Sequence, residues 1–148
     1  GATLIPVILG SDKTTISVAM GQTDYYPLYL SIGNVSNTMH HAHCNAIVLI
    51  AFLAMPKTMR EHTSTLAFHN FKRQLFHSLL TQILHSLARP MRVPETVFFG
   101  HNYYQHVIYA FTVYIADYEE QVLLSCIIHN WCPKCLAHHD NLDGDTLR

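Results

Sequence analysis

The spacing of the hydrophobic residues changes along this chain, and that change limits the folds it can adopt. Near-continuous hydrophobic runs occupy residues 3–10 and 46–55, with a stretch of β-forming residues at 25–32. Such runs are typical of strands covered on both faces, although Pro6 cannot donate to a ladder. At residues 65–88, hydrophobic residues recur every three or four positions, which predicts an amphipathic helix. The pattern therefore predicts three strands and then one long helix.

The rest of the pattern completes a mixed sheet. Residues 89–100 are interpreted as a loop, alternating hydrophobic residues at 106–116 predict a fourth strand, and residues 119–128 predict a second helix. A strand that follows a helix back to an existing sheet normally pairs in parallel through a right-handed crossover. Three antiparallel strands, a crossover helix and a fourth, parallel strand describe a ribonuclease H-like mixed sheet of the α/β class. Other α/β folds share this order of elements.

The long helix should lay a hydrophobic stripe on the sheet. We expect four residues, spaced four apart, to form this stripe: Phe71, Leu75, Leu79 and Ile83. Three further residues widen it: Phe76, Leu80 and Leu84. Pro90 is expected to end the helical region, because proline cannot continue a helix.

Positive charge is scarce in the chain. Its 148 residues include 9 lysines and arginines and 10 acidic residues, with a formal net charge of -1. This balance argues against a strongly basic nucleic-acid-binding module. Hydrophobic residues make up 49% of the chain, enough for the core of a single domain. No signal peptide is recognisable, and the longest hydrophobic run is about half the length of a bilayer-spanning helix. We therefore expect no transmembrane segment.

Two aspartates follow strands that should be neighbours. Asp12 comes directly after the first strand, and Asp117 ends the fourth. In a ribonuclease H-like sheet these strands lie side by side at the centre, so the two carboxylates would converge. Carboxylate oxygens are hard ligands that suit Mg²⁺ or Mn²⁺. The alternative for either residue alone is a turn former or a helix cap, which is the commoner role of an aspartate at a strand end.

A second candidate metal site lies near the C-terminus. Cys132 and Cys135 have the spacing of a zinc knuckle, and His138 and His139 are near enough to be further ligands. One cysteine pair supplies only two of the four ligands that a structural zinc site requires. The alternative is a pair of free thiols beside Trp131.

Two further groups favour ordinary surface roles. The histidines and the cysteine within residues 40–44 match no metal-site spacing and are interpreted as part of a solvated loop. The scattered lysines and arginines are able to neutralise phosphates, but charges of this kind more often solvate a face. Neither group by itself indicates a function.

Four stretches of the chain carry a family resemblance: residues 3–15 (TLIPVILGSDKTT), 21–35 (GQTDYYPLYLSIGNV), 114–121 (YIADYEEQ) and 131–144 (WCPKCLAHHDNLDG). Together they resemble the Plavaka transposases of fungal DNA transposons, which are grouped with the Kyakuja-Dileera-Zisupton elements. The resemblance covers nearly the whole chain.

The resemblance implies a ribonuclease H-like DDE/D catalytic core that cuts transposon ends and joins them to target DNA with Mg²⁺ or Mn²⁺. By position, Asp12 matches the first catalytic acid and Asp117 the second. Cys132 and Cys135 match a cysteine pair that follows this strand in the family, as part of a zinc-binding insertion. The resemblance further implies DNA as the partner, a nuclear location and the possibility of an oligomer.

The chain departs from the family pattern in two respects. The third acid of the triad is expected on a later helix, beyond Arg148, so we expect a fragment, truncated at its C-terminus, that is inactive as it stands. Arginines are expected where the chain has a group of histidines and a cysteine: His40, His41, Cys44 and His106. The alternatives are therefore a decayed or domesticated protein that binds DNA or another protein without catalysis, and a small zinc-binding interaction module. In the catalytic interpretation, residues 1–128 form a partial core and residues 129–148 begin the insertion.

Overall fold

The computed structural model describes residues 1–17, 23–36, 38, 45–127, 130–132, 137–138 and 140. Within them, the chain forms a mixed α/β structure whose strands are β1 (Thr3–Ser11), β2 (Thr14–Ser17), β3 (Thr23–Tyr25), β4 (Pro27–Ile32), β5 (Ile47–Phe52), β6 (Glu95–Phe98) and β7 (Tyr104–Ile115). The α-helices are α1 (Leu66–Ile83) and α2 (Tyr118–Ser125), and short 3-10 helices lie at Arg60–His62 and His85–Leu87. No helix of the described residues is long and apolar enough to cross a membrane.

Five of these strands form one mixed sheet, in the order β5-β4-β1-β7-β6. β1 pairs antiparallel with β4 and parallel with β7, and β4 pairs antiparallel with β5. β2 and β3 form a separate two-stranded ribbon. The antiparallel strands, and the parallel strand that follows the long helix, confirm the mixed α/β class predicted from the hydrophobic pattern.

β1 accommodates a proline because of where its antiparallel ladder begins. The pairing of β1 with β4 starts at Val7, so Pro6 is not required to donate an N–H to that ladder. The Pro6 carbonyl still accepts a 2.8 Å hydrogen bond from Gly33 N. A Cβ on Gly33 would stand 3.2 Å from the Pro6 ring, so the glycine permits this close approach.

α1 begins at a sequence signal for a helix start. Thr65 is its N-cap residue, and the Thr65 side chain accepts a hydrogen bond from Phe68 N. The 18 residues of the helix include neither glycine nor proline, so nothing within it interrupts the backbone ladder. Beyond Ile83 the chain tightens into the 3-10 helix His85–Leu87, and Pro90 follows.

The core lies between α1 and one face of the sheet. Its central cluster comprises five buried residues: Tyr26, Leu28, Leu53, Phe76 and Leu80. The inward side chains of β1 form a second buried row: Ile5, Val7, Leu9 and Ser11. Each fully buried hydrophobic side chain contributes about 1.5–3 kcal/mol to stability. The sheet and helix are therefore held together mainly by this shared apolar layer.

The hydrophobic stripe of α1 lies farther round the helix than the sequence pattern predicts. Phe76 and Leu80 are its buried residues, whereas Phe71 is 49% exposed, so the placement of Phe71 on the sheet is wrong. Leu79 and Ile83 pack against the core cluster from its edge. The reason is geometric: with about 100° per residue, a row spaced four apart drifts by about 40° at each step. The row from Phe71 to Ile83 thus turns through about 120° and cannot face one surface.

A short strand occupies part of the segment that the sequence pattern predicts as a loop. β6 pairs antiparallel with the start of β7 through a hairpin that closes with a hydrogen bond from Phe99 N to Tyr103 O. Asn102 in this turn has a φ of 66°, a left-handed conformation that asparagine tolerates better than most residues. β6 is four residues long and mostly exposed, so it lacks the buried hydrophobic run by which a strand is recognised.

We expect the two phenylalanines of α1 to differ sharply in their contribution to stability. Phe76→Ala should lower the free energy of unfolding by about 3–5 kcal/mol, because it opens a cavity in the central cluster. Phe71→Ala, the matched control, should lower it by less than about 1 kcal/mol, because this ring is half exposed. Urea denaturation followed by circular dichroism measures both. Equal losses in the two variants would contradict the observed orientation of α1.

Candidate metal centre at the ends of two parallel strands

The parallel pairing of β1 with β7 brings two aspartates to the same edge of the sheet. The ladder ends with Gly10 opposite Ile115. Asp12 and Asp117 each lie two residues beyond that last pair, at the carboxyl ends of adjacent parallel strands. The backbones that carry the two aspartates are therefore neighbours across a gap of about 100 residues in sequence.

Asp117 occupies the N-cap position of α2 but does not act as a cap. Its backbone is extended, with φ -64° and ψ 162°, as is usual for an N-cap residue. Its side chain forms no capping hydrogen bond to α2, all of whose residues are described. The first turn of the helix is held by backbone bonds from Glu120 N and Gln121 N to Asp117 O. The carboxylate is thus not used for the role that aspartate most commonly has at this position.

Asp12 is exposed and only weakly engaged. Thr14 Oγ1 donates to Asp12 Oδ2 over 3.5 Å, at the limit of a hydrogen bond. The turn that Asp12 begins leads directly into the β2–β3 ribbon. A local turn-forming role for Asp12 is therefore present but weak.

The two carboxylates line different hollows. Asp117 lines a cleft of about 290 Å³ together with two lysines and two further acids: Lys13, Lys72, Glu119 and Glu120. Asp12 instead lines a shallow, almost wholly apolar hollow of about 210 Å³ beside Ile8, Tyr29 and Ile115. The structure thus brings the two backbones together without placing both side chains in one cleft.

The two aspartates offer a divalent ion at most two carboxylate ligands and not a complete cage, and the side chains would have to turn towards each other to share one ion. Among the described residues, no group of three or more His, Cys, Asp and Glu side chains could hold a metal ion. Mg²⁺ is usually bound by one or two carboxylates together with water and substrate phosphates. Asp12 and Asp117 are suited in number and chemistry to that kind of site.

A buried polar cluster lies behind the cleft. Glu120, one turn into α2, is only 5% exposed, and Ser11 Oγ donates a short hydrogen bond to its Oε2. The Tyr114 hydroxyl donates to Ser11 Oγ over 2.7 Å, since the single Ser11 proton is already used. Tyr26 completes the cluster, and its hydroxyl and Glu120 Oε1 have no hydrogen-bond partner of normal geometry among the described residues.

Burial dominates the electrostatics of this cluster. It raises the pKa of the Glu120 carboxyl, an effect that the hydrogen bond from Ser11 and the nearby Tyr26 hydroxyl reduce in part. Burial likewise raises the pKa of Tyr26 and that of Tyr114, so both phenols stay protonated. The rings of Tyr114 and Phe76 pack edge to face, with their centroids 6.4 Å apart. The cluster is therefore continuous with the apolar core.

A comparison with protein-family models identifies the chain. The family model described as Plavaka transposase matches residues 1–148. This chain belongs to the Plavaka transposase family. The resemblance drawn from the sequence motifs is thereby confirmed over the whole chain. A search of curated proteins found no match, and neither did a search of solved structures. Membership of a transposase family implies, in general terms, DNA as a partner and a divalent metal as a cofactor.

The C-terminal zinc candidates of this Plavaka-family chain are described only in part. Cys135 and His139 lie outside the described residues. Cys132 N donates a 2.8 Å hydrogen bond to Ala137 O, and Trp131 and His138 form an antiparallel bridge. Residues Trp131 and Cys132 are thus held next to Ala137 and His138. His138 Nδ1 also lies 3.3 Å from Asp140 Oδ2.

The remaining histidine and cysteine residues of interest are the cluster at residues 40–44 and His77. The cluster at residues 40–44 lies outside the described residues. His77 of α1 is half-buried, and its Nε2 lies 3.2 Å from both Leu123 O and Cys126 Sγ. It therefore joins α1 to the end of α2.

Glu120 is the residue of this region that the sequence interpretation missed. Two signals were present. It lies three residues after Asp117, the spacing of a capping box, and three and four residues before Leu123 and Leu124, which places it on the inward side of α2. A capping box would turn Glu120 towards its own helix end, whereas its carboxylate is bonded to Ser11 of β1.

The raised pKa of Glu120 predicts a stability cost at neutral pH. A folded-state pKa above the ordinary value of 4.5 means that the folded protein binds the proton more tightly than the unfolded chain does. The tighter proton binding stabilises the folded protein. This stabilisation is fully present below pH 4.5 and is lost as the pH rises through the folded-state pKa. Glu120→Gln should match the wild type at low pH and become the more stable protein above that window. The gain should be about 1.4 kcal/mol for each tenfold difference in proton affinity between the folded and unfolded states.

Thermal or urea unfolding between pH 4 and 8 (about the range in which this linkage applies) measures the difference. Glu119→Gln is the matched control, because it removes the same charge from an exposed position of the same helix. An equal gain in Glu119→Gln would attribute the effect to helix charge instead of burial.

Proposed function

We propose that the chain supplies two catalytic carboxylates, Asp12 and Asp117, to a ribonuclease H-like DDE/D core that cuts and joins DNA with Mg²⁺ or Mn²⁺. The observation that carries the proposal is the parallel register of β1 and β7, which brings both aspartates to one edge of the sheet. The free N-cap carboxylate of Asp117 supports it, because the commonest structural role of that residue is unused. Family membership supports the reaction class.

The chemistry of the cleft fits DNA bound together with a cation. A bound divalent ion would activate the attacking hydroxyl and stabilise the leaving oxygen. The carboxylates of Asp12 and Asp117 would orient that ion, while Lys13 and Lys72 in the cleft would offset phosphate charge. With few lysines and arginines elsewhere, we expect DNA binding by this chain to be weak and strongly dependent on salt. Action on DNA in a transposase implies a nuclear location.

The C-terminal segment carries a second proposal, a zinc-binding insertion that begins near residue 129 and follows a core of residues 1–128. The observation that favours it is the Cys132–Ala137 hydrogen bond beside the Trp131–His138 bridge, because these contacts bring the backbones of two candidate ligands, Cys132 and His138, close together. Cys132 and Cys135 would be the first ligands, and His138 and His139 the candidates for the others. A binding protein without catalysis is the competing function, and it would retain this site while lacking the Asp12–Asp117 centre.

We expect Mn²⁺ binding to depend on both aspartates. The wild-type chain should bind Mn²⁺ weakly, with a Kd on the order of millimolar, because two carboxylates form an incomplete site. Asp12→Asn and Asp117→Asn should each weaken binding by about tenfold or more, equivalent to about 1.4 kcal/mol. Titration followed by the electron paramagnetic resonance signal of free Mn²⁺ measures the affinity at low ionic strength.

Glu61→Gln is the control for this titration, since Glu61 is an exposed acid in the 3-10 helix Arg60–His62. It should leave the affinity unchanged. Loss of affinity in only one of the two aspartate variants would refute a shared ion, and loss in neither would remove the catalytic proposal.

The zinc proposal predicts about one zinc ion per chain after purification and dialysis. Cys132→Ser and Cys135→Ser should each abolish it, because zinc binds thiolates far better than hydroxyls. Cys126→Ser is the matched control: Cys126 is an exposed cysteine beside His77, and its loss should leave the zinc content intact. Elemental analysis gives the content, and a zinc-free wild-type protein with both thiols reactive would establish free cysteines instead.

A further inference from the structure

One hydrogen bond links the two segments that carry the aspartates. Ser11, the last residue of β1, directly precedes Asp12, and Glu120 lies one helical turn after Asp117. The bond from Ser11 Oγ to Glu120 Oε2 spans 109 positions of sequence and is buried. It joins the end of β1 to the first turn of α2 at the point where the two acids emerge.

We propose that Glu120 is a positioning residue for the metal centre: by accepting the Ser11 hydrogen bond it fixes α2 so that the Asp117 carboxylate faces the cleft next to the end of β1. This inference rests on the proposed function of Asp12 and Asp117. It assigns a role to a residue that lies outside the catalytic set implied by the family motifs quoted above.

Glu120 is not itself placed to bind an ion. Its side chain is 5% exposed. Glu120 lies in the wall of the cleft, but its Oε1 is buried and its Oε2 accepts a hydrogen bond from the Ser11 hydroxyl. Glu120 therefore acts through the residues it holds.

The hydrogen bond between Ser11 and Glu120 replaces the capping contacts that Asp117 and Glu120 would otherwise make at the start of α2. Aspartate at the N-cap and glutamate three residues later ordinarily cap the helix start between them. In this chain the Glu120 side chain is drawn inward to Ser11, and the Asp117 side chain forms no cap with the residues of α2. The helix start loses two stabilising contacts, and the Asp117 carboxylate remains available at the cleft.

Contacts from several elements hold the side chain of Glu120 in place. Ser11 also accepts from the Tyr114 hydroxyl over 2.7 Å, so β1, β7 and α2 share one hydrogen-bonded node. Tyr114 in turn packs against Phe76 of α1. Truncating the side chain of residue 120 would release α2 from this node, whereas glutamine, whose amide oxygen also accepts from a hydroxyl, would preserve it.

The test is Mn²⁺ affinity measured on the whole chain, in variants shown to be folded by circular dichroism. Glu120→Ala and Ser11→Ala should each weaken Mn²⁺ binding by about tenfold, within the range seen when the partners of metal ligands are removed. Glu120→Gln should retain affinity within about threefold, since it keeps the hydrogen bond. Ser31→Ala is the matched control, because Ser31 is a buried serine of the same sheet whose hydroxyl donates to the backbone carbonyl of Ala46.

The outcomes separate the inference from the function on which it rests. If Asp12→Asn and Asp117→Asn weaken binding but Ser11→Ala does not, the positioning role is wrong and the metal centre stands. If the aspartate variants leave binding unchanged, the metal centre itself is wrong. An equal loss of Mn²⁺ affinity in Ser31→Ala would also refute the role, because it would point to general destabilisation. An equal loss in Glu120→Gln would refute it as well, because it would point to the charge of Glu120. Should Glu120→Ala fail to fold, Ser11→Ala decides the matter, because it removes only a hydroxyl.

Discussion

The parallel pairing of β1 with β7 is the constraint on which the rest of this structure depends. Parallel neighbours cannot be joined by a tight turn, so the intervening chain has to cross the sheet, and α1 lies on this crossing. The crossing buries Phe76 and Leu80 against Tyr26, Leu28 and Leu53 and so completes the central core cluster. The same pairing aligns the carboxyl ends of two strands about 100 residues apart in sequence, which is where the two aspartates lie. The pairing of β1 with β7 therefore determines both where the core forms and where the two aspartates lie.

The hydrophobic pattern was sufficient to predict the elements that are long and buried. The three strand regions, the long helix and the final strand all carry a dense hydrophobic signal. In β5 the side chains of Ile47, Val48, Leu49 and Phe52 are nevertheless exposed, so the prediction that this run is covered on both faces is wrong. β6 carries no such signal, since it is short and exposed and is held mainly by its backbone pairing with β7. The misplaced Phe71 has a different cause: a row of residues spaced four apart drifts round the helix, so spacing alone does not fix which part of it is buried.

The candidate site was only partly predictable from sequence for a related reason. Asp12 and Asp117 were recognisable because each follows a strong strand signal, and strand order relates one to the other. Glu120 was not, because its local pattern indicates a capping box and the competing partner, Ser11, is distant in sequence. A local rule describes the contacts that a residue has within one turn of helix. It cannot show that a tertiary hydrogen bond is available to replace them.

Burying Glu120 lowers the stability of the folded protein, which suggests that the cluster is retained for a reason other than stability. A carboxyl whose pKa is raised by burial destabilises the folded protein at neutral pH, and a leucine of similar size would avoid the penalty. α2 also forgoes the side-chain caps that its sequence offers. Sequences tend to break local rules of this kind where function requires a particular arrangement. The buried Glu120 carboxyl and the missing side-chain caps both occur in the helical turn that carries Asp117. A role in positioning the Asp117 carboxylate explains both features, whereas a contribution to stability explains neither.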